Sequence, residues 1–206
     1  MIRLIDRVDE CADGDYDAVD LDKVSLIWIH RIGRSAGSSA AQIAEFFIHG
    51  EGAPYTGSNM AYTYVNGDEF VEQALPFNEA GAHARRWGNA YGVGFAQIGD
   101  FNTRPPESGQ WRRAVEVCAD LVPFLAPHTA KMMSLLPEHL RLEIPVVGHG
   151  EVPTAFGANS GKDQPHGKNA CPGRLWDMDR FRDEVRQTLR GRATAELINR
   201  GHRFSR

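Results

Sequence analysis

The sequence has few cysteines, no long apolar segment and no strong excess of either charge. The three cysteines, Cys11, Cys118 and Cys171, are odd in number and widely spaced, which argues against a disulfide framework. No apolar run is long enough to span a bilayer, and the N-terminus lacks the basic and then apolar pattern of a signal peptide. A net charge of −4 gives no support for nucleic-acid binding. We therefore expect a protein made in the cytoplasm, without membrane insertion and without a nucleic-acid partner.

The two ends of the chain differ in charge. Residues 1–23 are rich in aspartate, whereas arginine dominates the last 25 residues. Both ends are most simply solvated surface, and a contact of the basic end with an anionic polymer is the alternative. A chain of 206 residues can bury one substantial core, so we expect one monomeric domain over residues 24–190. An acidic segment, residues 1–23, is expected to pack on this domain, and a basic tail, residues 191–206, to follow it.

The first apolar run, residues 24–29, predicts an interior strand that is covered on both faces. The two-residue period of a strand places four side chains on one face: Val24, Leu26, Trp28 and His30. His30 would therefore lie at the carboxyl end of this strand. Ser38 or Ser39 can then cap a helix that extends to about residue 49.

A hairpin is predicted next, because Asn66-Gly67 separates two β-prone segments, residues 60–65 and 69–75. In the first of these strands, Tyr62 and Tyr64 are expected to share a face. Residues 76–90, which include His83, are typical of a loop. Residues 91–99 predict another strand, whose glycines indicate close approach by a neighbouring backbone or a ligand.

The second half of the chain predicts more helices and one short strand. Apolar residues at helical spacing predict helices over residues 108–122, 128–136 and 177–190, with Cys118 in the core. Residues 145–148 predict a short strand that ends at His149. Strands interleaved with helices predict an α/β fold with a single central sheet of mixed direction, flanked by helices.

The segment from residue 146 to residue 173 carries two candidate metal ligands. His149 follows the short strand, and Cys171 precedes Pro172-Gly173, which predicts a rigid turn directly after the thiol. A histidine at a strand end and a cysteine on a turn are typical zinc ligands that need one or two more from elsewhere. Their separation of about twenty residues is wider than usual, so an unrelated surface histidine and buried cysteine is the alternative.

Five motifs between residues 24 and 190 together resemble one enzyme family. In order, they are IWIHR, MAYTYVNGDEFVEQA, AGAHARRWGNAYGVGFAQIGDF, VVGHGEV and ACPG. They resemble the type 2 N-acetylmuramoyl-L-alanine amidases, which depend on zinc, share a fold with peptidoglycan recognition proteins and include many phage endolysins. The resemblance implies that the substrate is peptidoglycan and that the amide bond between N-acetylmuramic acid and L-alanine is cleaved.

The resemblance also implies the site residues. The family's zinc ligands match His30, His149 and Cys171, and three protein ligands leave a fourth position for water, as in catalytic zinc sites. A family tyrosine matches Tyr62, which would stabilise the negative charge of the tetrahedral intermediate. A half-buried tyrosine of the sheet is the alternative for this residue.

Two positions depart from the family pattern. Many relatives have lysine or threonine two residues before the last ligand, where this chain has Asn169, with Lys168 one residue further back. Lys168 has the charge and the reach to contact the oxyanion, whereas Asn169 has the family's position, so both are candidate catalytic donors. Some relatives also carry a catalytic glutamate on the strand where this chain has Ala96, so a glutamate base is excluded there.

Three further residues have weaker assignments. His83 lies in a motif that lines the groove of relatives, so we expect it to bind substrate, with a structural histidine as the alternative. Glu151 is expected to contact substrate or to orient a metal ligand, and a solvated loop carboxylate is equally compatible with its position. His49 is expected to be structural.

Three classes of function fit these observations to different degrees. The first is a cell-wall amidase, acting on the wall after release as a phage-type lysin does, or staying in the cytoplasm as a recycling enzyme. The second is a peptidoglycan-binding module without activity, and the third is an α/β domain with incidental histidines. The retention of all three ligand types and the order of the motifs favour the amidase.

Overall fold

The computed structural model describes residues 4–6, 23–32, 39, 42–43, 62–67, 69–75, 81, 83, 89, 91–133, 144–151 and 171–203. Within these ranges the chain forms six strands, two long helices and one 3-10 turn. The strands are β1 (Leu4–Asp6), β2 (Leu26–Ile32), β3 (Tyr64–Asn66), β4 (Val71–Gln73), β5 (Gly92–Ile98) and β6 (Val146–Gly148). The helices are α1 (Ser108–Met133) and α2 (Met178–Arg203), and the 3-10 turn covers His149–Glu151. No helix within the described residues is both long enough and apolar enough to span a membrane.

The strands form one sheet in the order β1-β4-β3-β5-β2-β6. Only β3 and β4 pair antiparallel among the described strands, and all other neighbours are parallel. β2 lies between β5 and β6, where it is buried on both faces, which explains its continuous apolar composition. The predicted mixed α/β sheet with flanking helices is confirmed.

Alternation along β2 divides the core into two sides. Ile27 and Ile29 belong to the large cluster that α1 and α2 cover, whereas Trp28 and His30 point to the opposite face and contact other aromatic rings there. Val24 was expected on the face of His30 but packs in the large cluster. The reason is that β2 begins only at Leu26, so the strand period does not extend back to Val24.

The predicted hairpin is confirmed, with two corrections. Asn66 ends β3 instead of forming the turn, because its buried amide donates to Gln97 Oε1 and to the Gln110 carbonyl of α1. Tyr62 and Tyr64 do not share a face. Tyr64 lies in the large cluster, whereas Tyr62 precedes the strand and packs against the smaller cluster on the other side of the sheet.

Helix α1 corrects the prediction of two helices at residues 108–122 and 128–136. It is continuous from Ser108 to Met133 and therefore passes through Pro123. Proline cannot donate the backbone hydrogen bond and normally ends a helix, which is why the sequence predicts a break. Leu121, Val122 and Leu125 are nevertheless buried in the same core on either side of Pro123, and this burial offsets the lost hydrogen bond.

Helix α2 is longer than predicted, because it continues from Met178 to Arg203 instead of ending at residue 190. Arg192, beyond the predicted end, forms ion pairs with Glu116 and Asp120 of α1. At the other end of the chain, β1 pairs with β4 in parallel. The predicted start of a helix after residue 38 is confirmed: the Ser39 hydroxyl accepts from the Gln42 backbone N–H, and the Gln42 side chain accepts from the Ser39 N–H.

Candidate metal centre

Two neighbouring parallel strands bring the two predicted histidine ligands together. His30 lies near the carboxyl end of β2, and His149 follows directly after β6. Because β2 and β6 are parallel, their carboxyl ends lie at the same edge of the sheet, and the two imidazole centroids are 4.5 Å apart.

Cys171 reaches the same point through backbone contacts. Its carbonyl oxygen accepts from the Gly150 N–H at 2.6 Å, and its Sγ accepts from the Arg31 N–H at 3.3 Å. The turn that follows requires glycine, because Gly173 has a φ of 133° and an added Cβ would lie 2.7 Å from the Phe101 backbone. The predicted turn after the thiol is therefore present.

The three predicted ligands form the only group of at least three closely spaced His, Cys, Asp or Glu side chains found in the described part of the chain. One nitrogen of His30, one nitrogen of His149 and the Cys171 sulfur all lie within 4.8 Å of one another. In a tetrahedral zinc site the ligand atoms are roughly 3.3–3.7 Å apart, since the bonds are about 2.0–2.3 Å long. The distance from Cys171 Sγ to His30 Nδ1, 3.9 Å, is close to that range. The donor set and its spacing therefore fit zinc after small side-chain movements.

Burial keeps the side chains of His30 and Cys171 uncharged before a metal binds. It lowers the pKa of His30 well below the ordinary value, and the nearby His149 and His83 add to this effect. Burial also raises the pKa of the Cys171 thiol to about 11, although the backbone N–H and the charge of Arg31 partly oppose it. The His30 imidazole can therefore offer a lone pair at neutral pH, whereas the thiol must lose a proton to bind a metal.

His83 contacts the Nε2 side of the His30 ring, whereas Cys171 lies near its Nδ1 side. Its Nδ1 is 3.2 Å from His30 Nε2, and its Nε2 is 3.1 Å from the Gly92 carbonyl oxygen. The side chain is buried, and burial lowers its pKa to about 3 despite the hydrogen bond to Gly92, which acts in the opposite direction. Both ring nitrogens therefore face protein atoms, and the predicted contact of His83 with substrate stays a prediction.

Tyr62 stands on the same side of the sheet as the candidate ligands. Its ring centroid is 5.2 Å from that of His30, and the residue is half-buried against the smaller core cluster. Ala96, where some relatives have a glutamate, pairs with His30 across β2 and β5 and is fully buried. The neighbouring strand thus presents a methyl group next to His30, and no carboxylate.

A comparison with family models identifies the chain. The family described as N-acetylmuramoyl-L-alanine amidase matches residues 20–174, about three quarters of the sequence. The chain belongs to the N-acetylmuramoyl-L-alanine amidase family. The resemblance inferred from the five sequence motifs is confirmed, and with it the assignment of the chain as an amidase that acts on peptidoglycan. No match to this amidase was found among curated proteins.

Solved structures share the fold of this amidase. The Ph2119 endolysin from a Thermus scotoductus bacteriophage has a TM-score of 0.60 at 20% identity, covering 89% of this chain and 99% of that one. The amidase LysC from Clostridium intestinale has a TM-score of 0.57 at 14% identity, with coverage of 90% and 99%. Drosophila peptidoglycan recognition protein SD has a TM-score of 0.56 at 18% identity, with coverage of 75% and 86%. At these identities the similarity shows a common fold.

Glu151 connects the amidase's candidate metal centre to helix α2. One carboxylate oxygen accepts from the Gly148 N–H at 2.7 Å, and both oxygens accept from the Arg182 guanidinium at 2.8–3.1 Å. Glu151 therefore contacts the backbone next to His149, and its predicted role in orienting a ligand stays a prediction. Its contact with substrate stays a prediction.

Arg182 was not identified from the sequence. Its side chain is only 7% exposed, and arginine is rarely buried to this extent unless it has an ionic partner. The sequence does contain a signal: Arg182 lies four residues after Met178 and three before Val185, inside the apolar stripe of α2. A charged residue in such a stripe indicates a buried ion pair. The remaining candidates, Lys168, Asn169 and His49, lie outside the described residues.

Proposed function

We propose that this amidase is a zinc hydrolase that cleaves the bond between N-acetylmuramic acid and L-alanine in peptidoglycan. His30, His149 and Cys171 are the proposed metal ligands. The observation that carries the proposal is the meeting of two imidazole nitrogens and a thiol within 4.8 Å at one edge of the sheet, in a chain of this family. Three protein ligands leave a position for water and substrate, which is the arrangement of catalytic rather than structural zinc.

The metal explains how a poorly reactive amide can be hydrolysed. A zinc ion held by these ligands would polarise the amide carbonyl and lower the pKa of a bound water. The protein's own task is then to bind and orient the muramyl peptide and to stabilise the negative charge that develops on the carbonyl oxygen. Tyr62, beside His30, is the proposed phenol donor for that charge.

A second donor is proposed on the segment before Cys171. Lys168 is favoured because a charge-assisted hydrogen bond is about twice as strong as a neutral one, and its flexible stem can compensate for an offset of one residue. Asn169 is the alternative, since it has the family's position. Glu151 and His83 remain proposed contacts of the substrate.

The biological setting proposed is that of a monomeric phage-type lysin. Endolysin structures are among those that share this fold over nearly the whole chain, which supports a lysin. A recycling amidase that acts on soluble fragments, or a recognition module that binds without cleavage, would have the same fold. These alternatives differ in substrate and in product, so one experiment separates them.

The test uses purified protein of known zinc content, intact cell-wall sacculi and soluble muropeptides of defined structure, with products analysed by mass spectrometry. A zinc-dependent lysin is expected to release free stem peptides with a new L-alanine amino terminus from sacculi. Cleavage of the soluble fragments alone would indicate recycling. Binding to sacculi without any released peptide, in protein that contains zinc, would contradict the enzymatic proposal.

A further inference from the structure

Three groups lie in a hydrogen-bonded line that ends at the candidate metal position: the Gly92 carbonyl, the His83 imidazole and the His30 imidazole. From this line we infer that His83 is a positioning residue, which holds His30 in the one tautomer that can bind the metal through Nδ1. The inference rests on the proposed function, because it gives His83 a role toward the zinc that the amidase would hold.

The direction of the hydrogen bonds follows from the backbone. The Gly92 carbonyl can only accept, so His83 Nε2 must carry the hydrogen that makes the 3.1 Å contact. A neutral imidazole has one N–H, which leaves His83 Nδ1 with a lone pair.

The same reasoning then applies to His30. Its Nε2 lies 3.2 Å from the lone pair of His83 Nδ1, so Nε2 must be the donor of that hydrogen bond. The remaining nitrogen, Nδ1, has the lone pair, and it is this atom that lies 3.9 Å from Cys171 Sγ. In the opposite tautomer, two buried lone pairs would face each other and a hydrogen would occupy the metal position. Metal-binding histidines commonly have their second nitrogen fixed in this way.

The fold makes room for His83 by leaving out a side chain on β5. A Cβ at Gly94 would lie 2.6 Å from His83 Cδ2, so any other residue would displace the ring. Gly94 pairs with Trp28 in the sheet, two residues before the pair of Ala96 with His30. The backbone N–H of His83 also donates to the Gly81 carbonyl at 2.9 Å. The glycines of this strand predicted close approach by a backbone or a ligand, whereas the group that approaches Gly94 is the side chain of His83.

In this arrangement His83 acts on the metal position through His30. It is 8% exposed, and both of its ring nitrogens contact protein atoms. Loss of the acceptor that His83 Nδ1 provides to His30 is therefore expected to weaken zinc binding about 10- to 100-fold. This range is typical when a metal ligand loses the group that hydrogen-bonds its second nitrogen.

The first test measures the tautomer in the unmodified, metal-free protein, so it does not depend on any variant that folds. Nitrogen-15 chemical shifts of the imidazoles at pH 7.5 distinguish a proton on Nε2 from one on Nδ1. We expect His30 and His83 both to carry the proton on Nε2. A proton on His30 Nδ1 would overturn the inference.

The second test compares two substitutions that differ in one feature. His83→Asn places an amide oxygen near the position of Nδ1 and keeps an acceptor for His30, whereas His83→Leu fills the space without an acceptor. Zinc affinity is measured by competition with a chelating dye, with circular dichroism to check the fold. We expect a 10- to 100-fold loss for His83→Leu and substantial recovery for His83→Asn. Equal zinc affinity in His83→Leu and the unmodified protein, or equal losses in both variants, would overturn the inference.

These outcomes are separable from a failure of the proposed function. If the unmodified protein binds zinc and cleaves sacculi but His83→Leu binds zinc equally well, only the role of His83 is wrong. If the unmodified protein binds no zinc, the proposed function is wrong, while the tautomer of His30 still reports whether the hydrogen-bonded line exists.

Discussion

At the scale of single residues, the two described cysteines have different surroundings and allow a matched test. Cys171 lies within reach of two histidines, whereas Cys118 is buried in α1 with apolar neighbours, and burial raises the pKa of its thiol far above the ordinary value. A thiol that has no metal partner contributes packing only. If Cys171 is a zinc ligand and Cys118 is not, a change from cysteine to serine should reduce zinc retention at position 171 and leave it unchanged at position 118.

Cys171→Ser is expected to reduce zinc retention and wall hydrolysis together, because a serine hydroxyl is a poor zinc ligand. Cys118→Ser is the control, since its hydroxyl can bond to a helix carbonyl and no candidate ligand is altered. Zinc is measured by elemental analysis after dialysis, and hydrolysis by the clearing of cell-wall suspensions. Full activity of a zinc-free Cys171→Ser protein would contradict the ligand assignment.

Tyr62→Phe tests the proposed oxyanion donor. The ring of Tyr62 packs beside His30, and phenylalanine keeps that packing while it removes the hydroxyl. We expect unchanged zinc content and fold, with a turnover rate lowered about 10²-fold or more, as is typical for the loss of one oxyanion donor. An unchanged rate on defined muropeptides would mean that Tyr62 is a residue of the sheet only.

Lys168→Ala and Asn169→Ala separate the two candidate donors before Cys171. If Lys168 supplies a charged hydrogen bond to the transition state, only Lys168→Ala lowers the turnover rate, with zinc content equal in both variants. A slow Asn169→Ala variant beside a fast Lys168→Ala variant would reverse the assignment. Normal rates in both would leave the metal and Tyr62 as the stabilising groups.

At the scale of elements, buried polar contacts determine how strands and helices meet. Asn66 at the end of β3 donates to Gln97 of β5 and to the Gln110 carbonyl of α1, which fixes two strands against one helix. Arg182 of α2 makes a similar contact at the β6 edge of the sheet, where it binds Glu151. Both contacts join elements that are far apart in the sequence.

The two acidic partners of Arg182 are expected to contribute unequally to the free energy of unfolding. Glu151→Gln would remove the half-buried counter-charge of a guanidinium that is 7% exposed, so we expect a loss of about 3 kcal/mol in the free energy of unfolding. The expected loss for Asp179→Asn is below about 1 kcal/mol, because Asp179 is 92% exposed and its ion pair is screened by solvent. Urea denaturation of both variants measures the difference. Equal losses would mean that Glu151 does not hold the turn of His149.

At the scale of the whole molecule, buried neutral histidines link folding to pH. An unfolded histidine gains its proton near pH 6.5, whereas folded His83 does so only at about pH 3, and the pKa of His30 is also well below 6.5. The contribution of these residues to stability is thus complete above pH 6.5. It falls as the pH decreases through this window, since only the unfolded state takes up the proton.

His83 alone should lower the free energy of unfolding of the zinc-free protein by about 2 kcal/mol between pH 6.5 and pH 5, at about 1.4 kcal/mol per pH unit. Urea denaturation at several pH values measures this slope. The asparagine of His83→Asn cannot be protonated, so the free energy of unfolding of this variant should depend less steeply on pH, by the contribution of one histidine. The same slope in both proteins would show that His83 is not buried as a neutral ring.

The sequence by itself determined the strands at β2, β5 and β6, the hairpin, a helix cap at Ser38 or Ser39 and the residue types proposed as ligands. These features were predictable because each depends on a local pattern: an apolar run, an alternation, a turn dipeptide or a short motif around one ligand. The order of the motifs then identified the family, which implied that His30, His149 and Cys171 act together.

Only the tertiary structure decided which of these residues meet and what supports them. The contact of His30 with His83 spans 53 residues and that of Arg182 with Glu151 spans 31, so no local period encodes either of them. The continuity of α1 through Pro123 and the opposite faces of Tyr62 and Tyr64 likewise depend on which surface each segment buries. Local preference predicts the elements, whereas burial in a shared core selects among the ways to join them.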